Sequence, residues 1–320
     1  MRMNLYIDKK PKPKMPKIII ASLEHRDNYV SFENGYQTKK YSKMCLGHEI
    51  HMTRYVLIDM IINHRISKEE DIVVTLKDRK FLYHSFIKCI DVDEFYAMNK
   101  NGYEIINLSL ITGSDIPVTR DSIYNHYQYK IMEKFYTEEF KTLLNNIDYC
   151  PIDYEEKGGY KDYILIHHRY DLQIEPLKQM ISKINNLVKD MNIVIFNHNL
   201  SYLQPILEKE FTNLIFIENL QLYASYLNQK KCKLFISEWS GGGQLSHYCY
   251  EGKILYYFHT YNDYHYIGQE KEMCKKSMET DMIKCWDFKH SRDIDINMFH
   301  SITNIINNLE EYIPSNLKQI

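Results

Sequence analysis

Through the second half of the chain, short runs of wholly apolar residues alternate with longer stretches whose apolar residues recur at three- and four-residue spacing. A short apolar run bounded by polar positions reads as a strand buried on both faces, and the spaced stretches read as helices that cover it. The pattern predicts strands at 163–167, 192–196 and 214–217, with helices at 175–189, 200–211 and 221–228 between and after them. A fourth strand pattern, Leu234, Phe235 and Ile236, breaks at Ser237 and Glu238. Three consecutive glycines and a segment able to start a helix follow, and then a strand at 253–258. Strand then helix, repeated four times, is the signature of a doubly wound parallel sheet.

The first half alternates in the same way with a less regular period. A Lys/Pro lead-in precedes a strand at 17–23. A polar loop at 31–43 leads to a helix at 46–62, whose apolar residues include Ile50, Tyr55, Leu57, Ile58, Ile61 and Ile62. Beyond it we expect a strand at 71–76, a helix-like segment at 81–89, a strand at 104–108, and a long helix at 123–145 capped by Asp121 or Ser122. The stretch 148–161, with Pro151 and Gly158-Gly159, is the best linker. The expected fold class is α/β with two Rossmann-like domains, 1–150 and 151–296. A closing helix at 298–312, within a tail of 297–320, packs back on the first domain.

Composition narrows the field. A chain of 320 residues is long enough for two cores. With 40 basic and 42 acidic residues, it has no general attraction for nucleic acid or anionic membrane. Seven scattered cysteines without a CxxC pair fit reduced thiols. No signal-peptide core or bilayer-length apolar run occurs, so a soluble, cytoplasmic protein without stable membrane insertion is expected. The 28 tyrosines are treated as compositional bias, although Tyr36, Tyr41, Tyr250 and Tyr257 are of a type that stacks on a sugar or base.

The chemistry-bearing residues fall where the predicted strands end. Glycines after 234–236 let the backbone approach a ligand closely, and the N–H groups of a first helical turn favour an anion such as phosphate. The competing reading is an ordinary strand-to-helix connection whose glycines serve only the turn. Arg169, just beyond the 163–167 strand, offers a planar fork to a phosphate, or else pairs with Asp171 or Glu175. Of His167 and His168, alternation sends one toward the sheet face and one toward a ligand. Asn197 and Asn199, then Glu218 and Asn219, stand at the next two strand ends, within the reach expected for a base and a ribose. No metal-binding pattern, serine-hydrolase elbow, P-loop lysine motif or GxGxxG is present, and no cofactor is expected. Asp91-Val92-Asp93 reads as a turn or a helix N-terminus.

An apolar strand ending in His167-His168-Arg169-Tyr170-Asp171, and the later Leu234-Phe235-Ile236-Ser237-Glu238-Trp239-Ser240-Gly241-Gly242-Gly243, resemble glycosyltransferases of the GT-B fold, most closely the fucosyltransferase-like group. Cys45-Leu46-Gly47-His48-Glu49 occupies a place similar to that group's early glycine-rich loop. The resemblance implies two domains facing a central cleft and metal-independent transfer of a sugar. The donor would be GDP- or UDP-linked, GDP-fucose among the candidates, and the acceptor a hydroxyl on a glycan or other molecule. It further implies that Arg169 holds the donor pyrophosphate and that Ser237, Ser240, Gly241 and Gly242 line the phosphate and sugar pocket, with His167, Glu238, Gly243 and Gln244 beside them. A general base would come from the first domain: Glu24 first, then His25 and Asp27, with His48 and Glu49 as neighbours. Two alternatives stay open. One is a nucleotide-sugar-binding module that transfers nothing. The other is a metal-free sugar-nucleotide epimerase using Glu218 and Glu238.

Overall fold

The computed structural model describes residues 15–23, 30–33, 36–39, 46–108, 161–168, 174–188, 190–197, 200–238, 240–257, 295–299 and 301–318. The chain is an α/β protein with two parallel sheets, of four and six strands.

The first sheet begins with β1 (Lys17–Ile20). An antiparallel pair, β2 (Val30–Glu33) and β3 (Tyr36–Lys39), follows where a polar loop was expected. The overlooked signal is Asn34-Gly35 between the two runs, the strongest short-range hairpin mark a sequence carries. The expected helix at 46–62 forms in three pieces: Leu46–His48, a π-helical turn Glu49–Thr53, and Arg54–Ile62. The strands β4 (Ile72–Thr75), β5 (Lys88–Asp91) and β6 (Glu104–Asn107) complete the order β5-β4-β1-β6, and every pairing is parallel.

The segment 81–89 departs from its predicted helix. A 3-10 turn, Lys77–Leu82, and the edge strand β5 take its place. Phe81, Leu82, Tyr83, Phe86 and Ile87 are all buried, and it was this density of apolar residues that imitated a helix. Strand β5 escaped notice because an edge strand is half-solvated and needs no continuous apolar run. After it, Asp91 caps the helix Val92–Ala97 in a reciprocal pair with Glu94, so the Asp-Val-Asp string is a helix N-terminus. The expected loop at 111–122, helix at 123–145 and linker at 148–161 lie outside the described residues.

The second sheet holds β7 (Tyr163–His167), β8 (Asn192–Phe196), β9 (Leu214–Ile217), β10 (Cys232–Glu238), β11 (Lys253–Tyr257) and β12 (Asp295–Phe299), in the order β12-β11-β10-β7-β8-β9. Every pairing is parallel. The chain starts at the centre, winds outward to β9, returns to β10 beside β7 and winds outward the other way. The order therefore reverses between β7 and β10. In doubly wound sheets, ligands bind outside the carboxyl ends of the strands at such a point.

Two corrections concern the tail. The sixth strand, β12, takes residues expected to begin the closing helix, so a boundary at 296/297 would cut through it. The helix itself is Ile302–Tyr312, capped by the Ser301 hydroxyl, which accepts from the Asn304 N–H. Among the described residues it packs on the second sheet rather than on the first. Ile302, Ile305 and Leu309 bury into one cluster with Leu177, Ile181 and Ile184 of the helix Ile174–Leu187 and with Leu255 and Tyr257 of β11. Fully burying such a side chain contributes about 1.5–3 kcal/mol, so this stripe decides where the helix goes.

The opposite face of the same sheet presents Tyr163, Leu165, Val194, Phe196, Phe235 and Tyr256. These join Leu46, Ile50, Phe81, Leu82 and Tyr83 from the first half in one continuous apolar cluster. Among the described residues, no helix is long and apolar enough to cross a membrane.

Candidate functional site

The carboxyl ends of β7 and β10 are register partners, with His167 opposite Ser237. Arg169 follows His168 directly in the chain and lies outside the described residues, as do Glu24, His25, Asp27 and Asn199, while the side chain of Gln244 is not described.

The three glycines are the first turn of a short helix, Gly241–Gln244, rather than a loop before one. Ser240 is its N-cap, and the serine hydroxyl accepts from the Gly243 N–H at 3.4 Å. Each glycine sits where a side chain has no room. A Cβ on Gly241 would lie 2.8 Å from the Cα of Gly47 and closer still to its nitrogen, so backbone from the two halves of the molecule meets here. A Cβ on Gly242 would lie 2.7 Å from Nε2 of His167, and one on Gly243 would strike the Ser237 hydroxyl and the Glu238 carbonyl. The triplet is thus required by close approach within the protein, whatever ligand it serves. It also sets Leu46-Gly47-His48 against the turn, two segments singled out separately in the sequence.

Below the turn the polar groups satisfy one another. Ser237 Oγ donates to the Glu238 carbonyl at 2.7 Å. That spends its only hydrogen, so the 2.9 Å contact with His167 assigns the proton to the imidazole Nδ1. The Ser240 hydroxyl lies 3.5 Å from the same nitrogen. His167 is buried, with its ring stacked near Phe196 at 5.3 Å between centroids. It supports the turn from beneath. His168 is also buried on the other side of the strand, where its Nδ1 meets the Tyr257 hydroxyl at 3.0 Å. Burial first, and then the Glu238 charge, pushes the Tyr257 phenol well above its ordinary range. Glu238 is itself only 2% exposed.

The other strand ends are engaged within the fold. Asn197 is buried and donates to the His168 carbonyl at 2.6 Å. Glu218 is exposed, and its carboxylate accepts from the Leu200 N–H at 2.9 Å, at the start of the helix Leu200–Leu207. Asn219 caps the helix Leu220–Leu227 through the Leu222 N–H, also at 2.9 Å. Glu218 and Glu238 thus differ sharply in exposure. Tyr250 and Tyr257 are core residues.

Sequence reasoning missed a second polar cluster, at the carboxyl end of β4. Glu49 is fully buried and accepts from Arg79 at 2.7 Å, from the Tyr83 hydroxyl at 2.9 Å and from the Thr75 hydroxyl. Burial, reinforced by the Glu49 charge, raises the Tyr83 phenol well above its ordinary range. No motif announces this cluster, because its members come from three separate segments. Glu49 stands ion-paired inside the protein rather than as a base beside an acceptor.

Sequence reasoning also missed Tyr223 and Tyr256, which reach the glycine turn from below: the Tyr223 hydroxyl donates to the Gly242 carbonyl at 3.0 Å and that of Tyr256 to the Gly243 carbonyl at 2.9 Å. Among the described residues, no group of three or more His, Cys, Asp and Glu is placed to hold a metal ion. No protein-family model matches the chain, and no curated protein matches its sequence.

Proposed function

We propose that the chain is a metal-independent glycosyltransferase of GT-B type. It moves a sugar, with fucose or another deoxyhexose as the first candidate, from a GDP- or UDP-linked donor to a hydroxyl of a glycan or other acceptor. The observation that carries the reading is the reversal of strand order between β7 and β10, with His167 and Ser237 side by side at their carboxyl ends. In the sequence, Arg169 comes just after one of these strands and Gly241–Gly243 just after the other. A site of this kind suits a diphosphate.

In the reaction the bond between the anomeric carbon and the diphosphate oxygen breaks, and its electron pair leaves on the diphosphate. The acceptor oxygen bonds to the anomeric carbon and gives its proton to a base, for which Glu24 is the first candidate, then His25 and Asp27. Arg169 and the Gly241 and Gly242 N–H groups meet the charge that develops on the leaving group.

The test is release of nucleoside diphosphate from a panel of GDP-, UDP- and dTDP-sugars with simple glycan acceptors. One donor is expected to turn over, and Glu24→Ala is expected to lower turnover about 100-fold or more while leaving donor binding intact. Binding of a sugar nucleotide with no release under any condition would support the second reading, a non-catalytic binding module.

A further inference from the structure

Among the described residues, the first half meets the second chiefly through two segments. Leu46–His48 packs on the helix Gly241–Gln244, where the backbone of Gly47 leaves no room for a side chain on Gly241. Lys77–Leu82 packs on the helix Leu220–Leu227. One carboxylate ties these two segments together. Glu49 follows Leu46–His48 directly in the chain, and its Oε2 accepts from Arg79, within Lys77–Leu82, at 2.7 Å. Its Oε1 accepts from the hydroxyl of Tyr83, the residue after Leu82, at 2.9 Å and from the Thr75 hydroxyl at the end of β4.

The surroundings make this knot part of the seam. A π-helical turn opens at Glu49, and Ile50 beside it is buried in the apolar cluster that both halves share. Tyr83 belongs to both environments, with its hydroxyl on Glu49 and its side chain counted in that shared cluster. A carboxylate taken out of water persists only where its partners are well placed, so Glu49 and its three donors hold their positions jointly. Neither contact segment can shift without disturbing the other.

We infer that Glu49 is a latch between the two halves. By holding Leu46–His48 and Lys77–Leu82 to one another, it fixes the angle at which the first sheet meets the second. This side of the molecule is a fixed pivot, and any hinge motion of one half against the other turns about it. The inference goes beyond the donor-site reading and does not depend on which ligand the protein takes.

Hydrogen–deuterium exchange on the ligand-free full chain tests it, comparing Glu49→Gln and Tyr83→Phe with Asp71→Asn. Tyr83→Phe keeps the ring in the seam and removes one donor, so it decides the matter where Glu49→Gln fails to fold. Asp71 is likewise a buried carboxylate, accepting from the Lys17 N–H at 2.6 Å and the Ser67 N–H at 2.7 Å. It stands just before β4, at the opposite end of that strand from Thr75. Exchange over 220–227 and 241–245, in the second half, is expected to quicken about fivefold or more in the two latch variants and to keep the wild-type rate in Asp71→Asn. A double-mutant cycle reads the same coupling through stability. The fall in folding equilibrium constant caused by Gly241→Ala is expected to be about fivefold smaller in the Tyr83→Phe protein, because a released Leu46–His48 segment gives way, and unchanged in Asp71→Asn. Quickening confined to the first half, equal quickening in Asp71→Asn, or additive losses in the Tyr83→Phe cycle would overturn the latch. None of these readings needs a nucleotide, so they stand apart from the test of donor binding.

Discussion

The two sheets each bury a polar cluster near a strand's carboxyl end, and the clusters are of opposite kinds. At the end of β4 a carboxylate and a guanidinium from neighbouring segments are locked together: Glu49 accepts from Arg79, Tyr83 and Thr75. Around β7 and β10 the side chains joined at the glycine turn are His167, Ser237, Ser240, Tyr223 and Tyr256, linked by hydrogen bonds with no ion pair among them. The first cluster uses its charge internally. The second is joined through hydroxyls, an imidazole and backbone carbonyls.

The difference is sharpest under substitution. Removing one member of a buried ion pair strands the other charge in a low-dielectric interior, so Glu49→Ala is expected to cost about 3–5 kcal/mol in urea unfolding. Ser237→Ala removes hydroxyl bonds alone and is expected to cost roughly 1 kcal/mol. Equal losses would erase the distinction between the two clusters.

The seam where the halves touch gives the next effect in size. Gly241→Ala drives a methyl into the backbone of Gly47, which cannot swing aside, and is expected to cost about 1–3 kcal/mol. Gly252→Ala meets a side chain rather than backbone, the Tyr250 hydroxyl at 2.7 Å and its ring carbons from 2.9 Å, and should cost less. Thermal unfolding of both variants checks the ranking, and the reverse order would mean that the seam is loose.

Much of the second sheet is legible in the sequence because its strands are unambiguous. Residues 192–196 and 214–217 are short, apolar and bounded by polar positions, and they form strands at those limits. Asn219 before an apolar-spaced run is likewise a readable cap. Strands β5 and β12 were hidden because edge strands need satisfy only one neighbour and one face, and Lys88 and Asp295 at their starts look like loop residues. The glycine triplet was visible, but its reason was not. That Gly241 must clear Gly47, and Gly242 the His167 ring, follows from how the halves pack, which no local pattern encodes. The same holds for Tyr223 and Tyr256. Among 28 tyrosines nothing local marks the two whose hydroxyls reach the turn.

The central claim is that β7 and β10 together present a diphosphate site, with Arg169 supplying the charge. Thermal unfolding of wild type and Arg169→Ala, each with GDP, UDP and dTDP, tests it most directly, since a ligand that binds only the folded state raises its stability by mass action. The account predicts a rise with one nucleotide for the wild type and none for Arg169→Ala, whose ligand-free melting stays close to that of the wild type. A nucleotide shift of equal size in both proteins, or none in the wild type with any of the three, would contradict it.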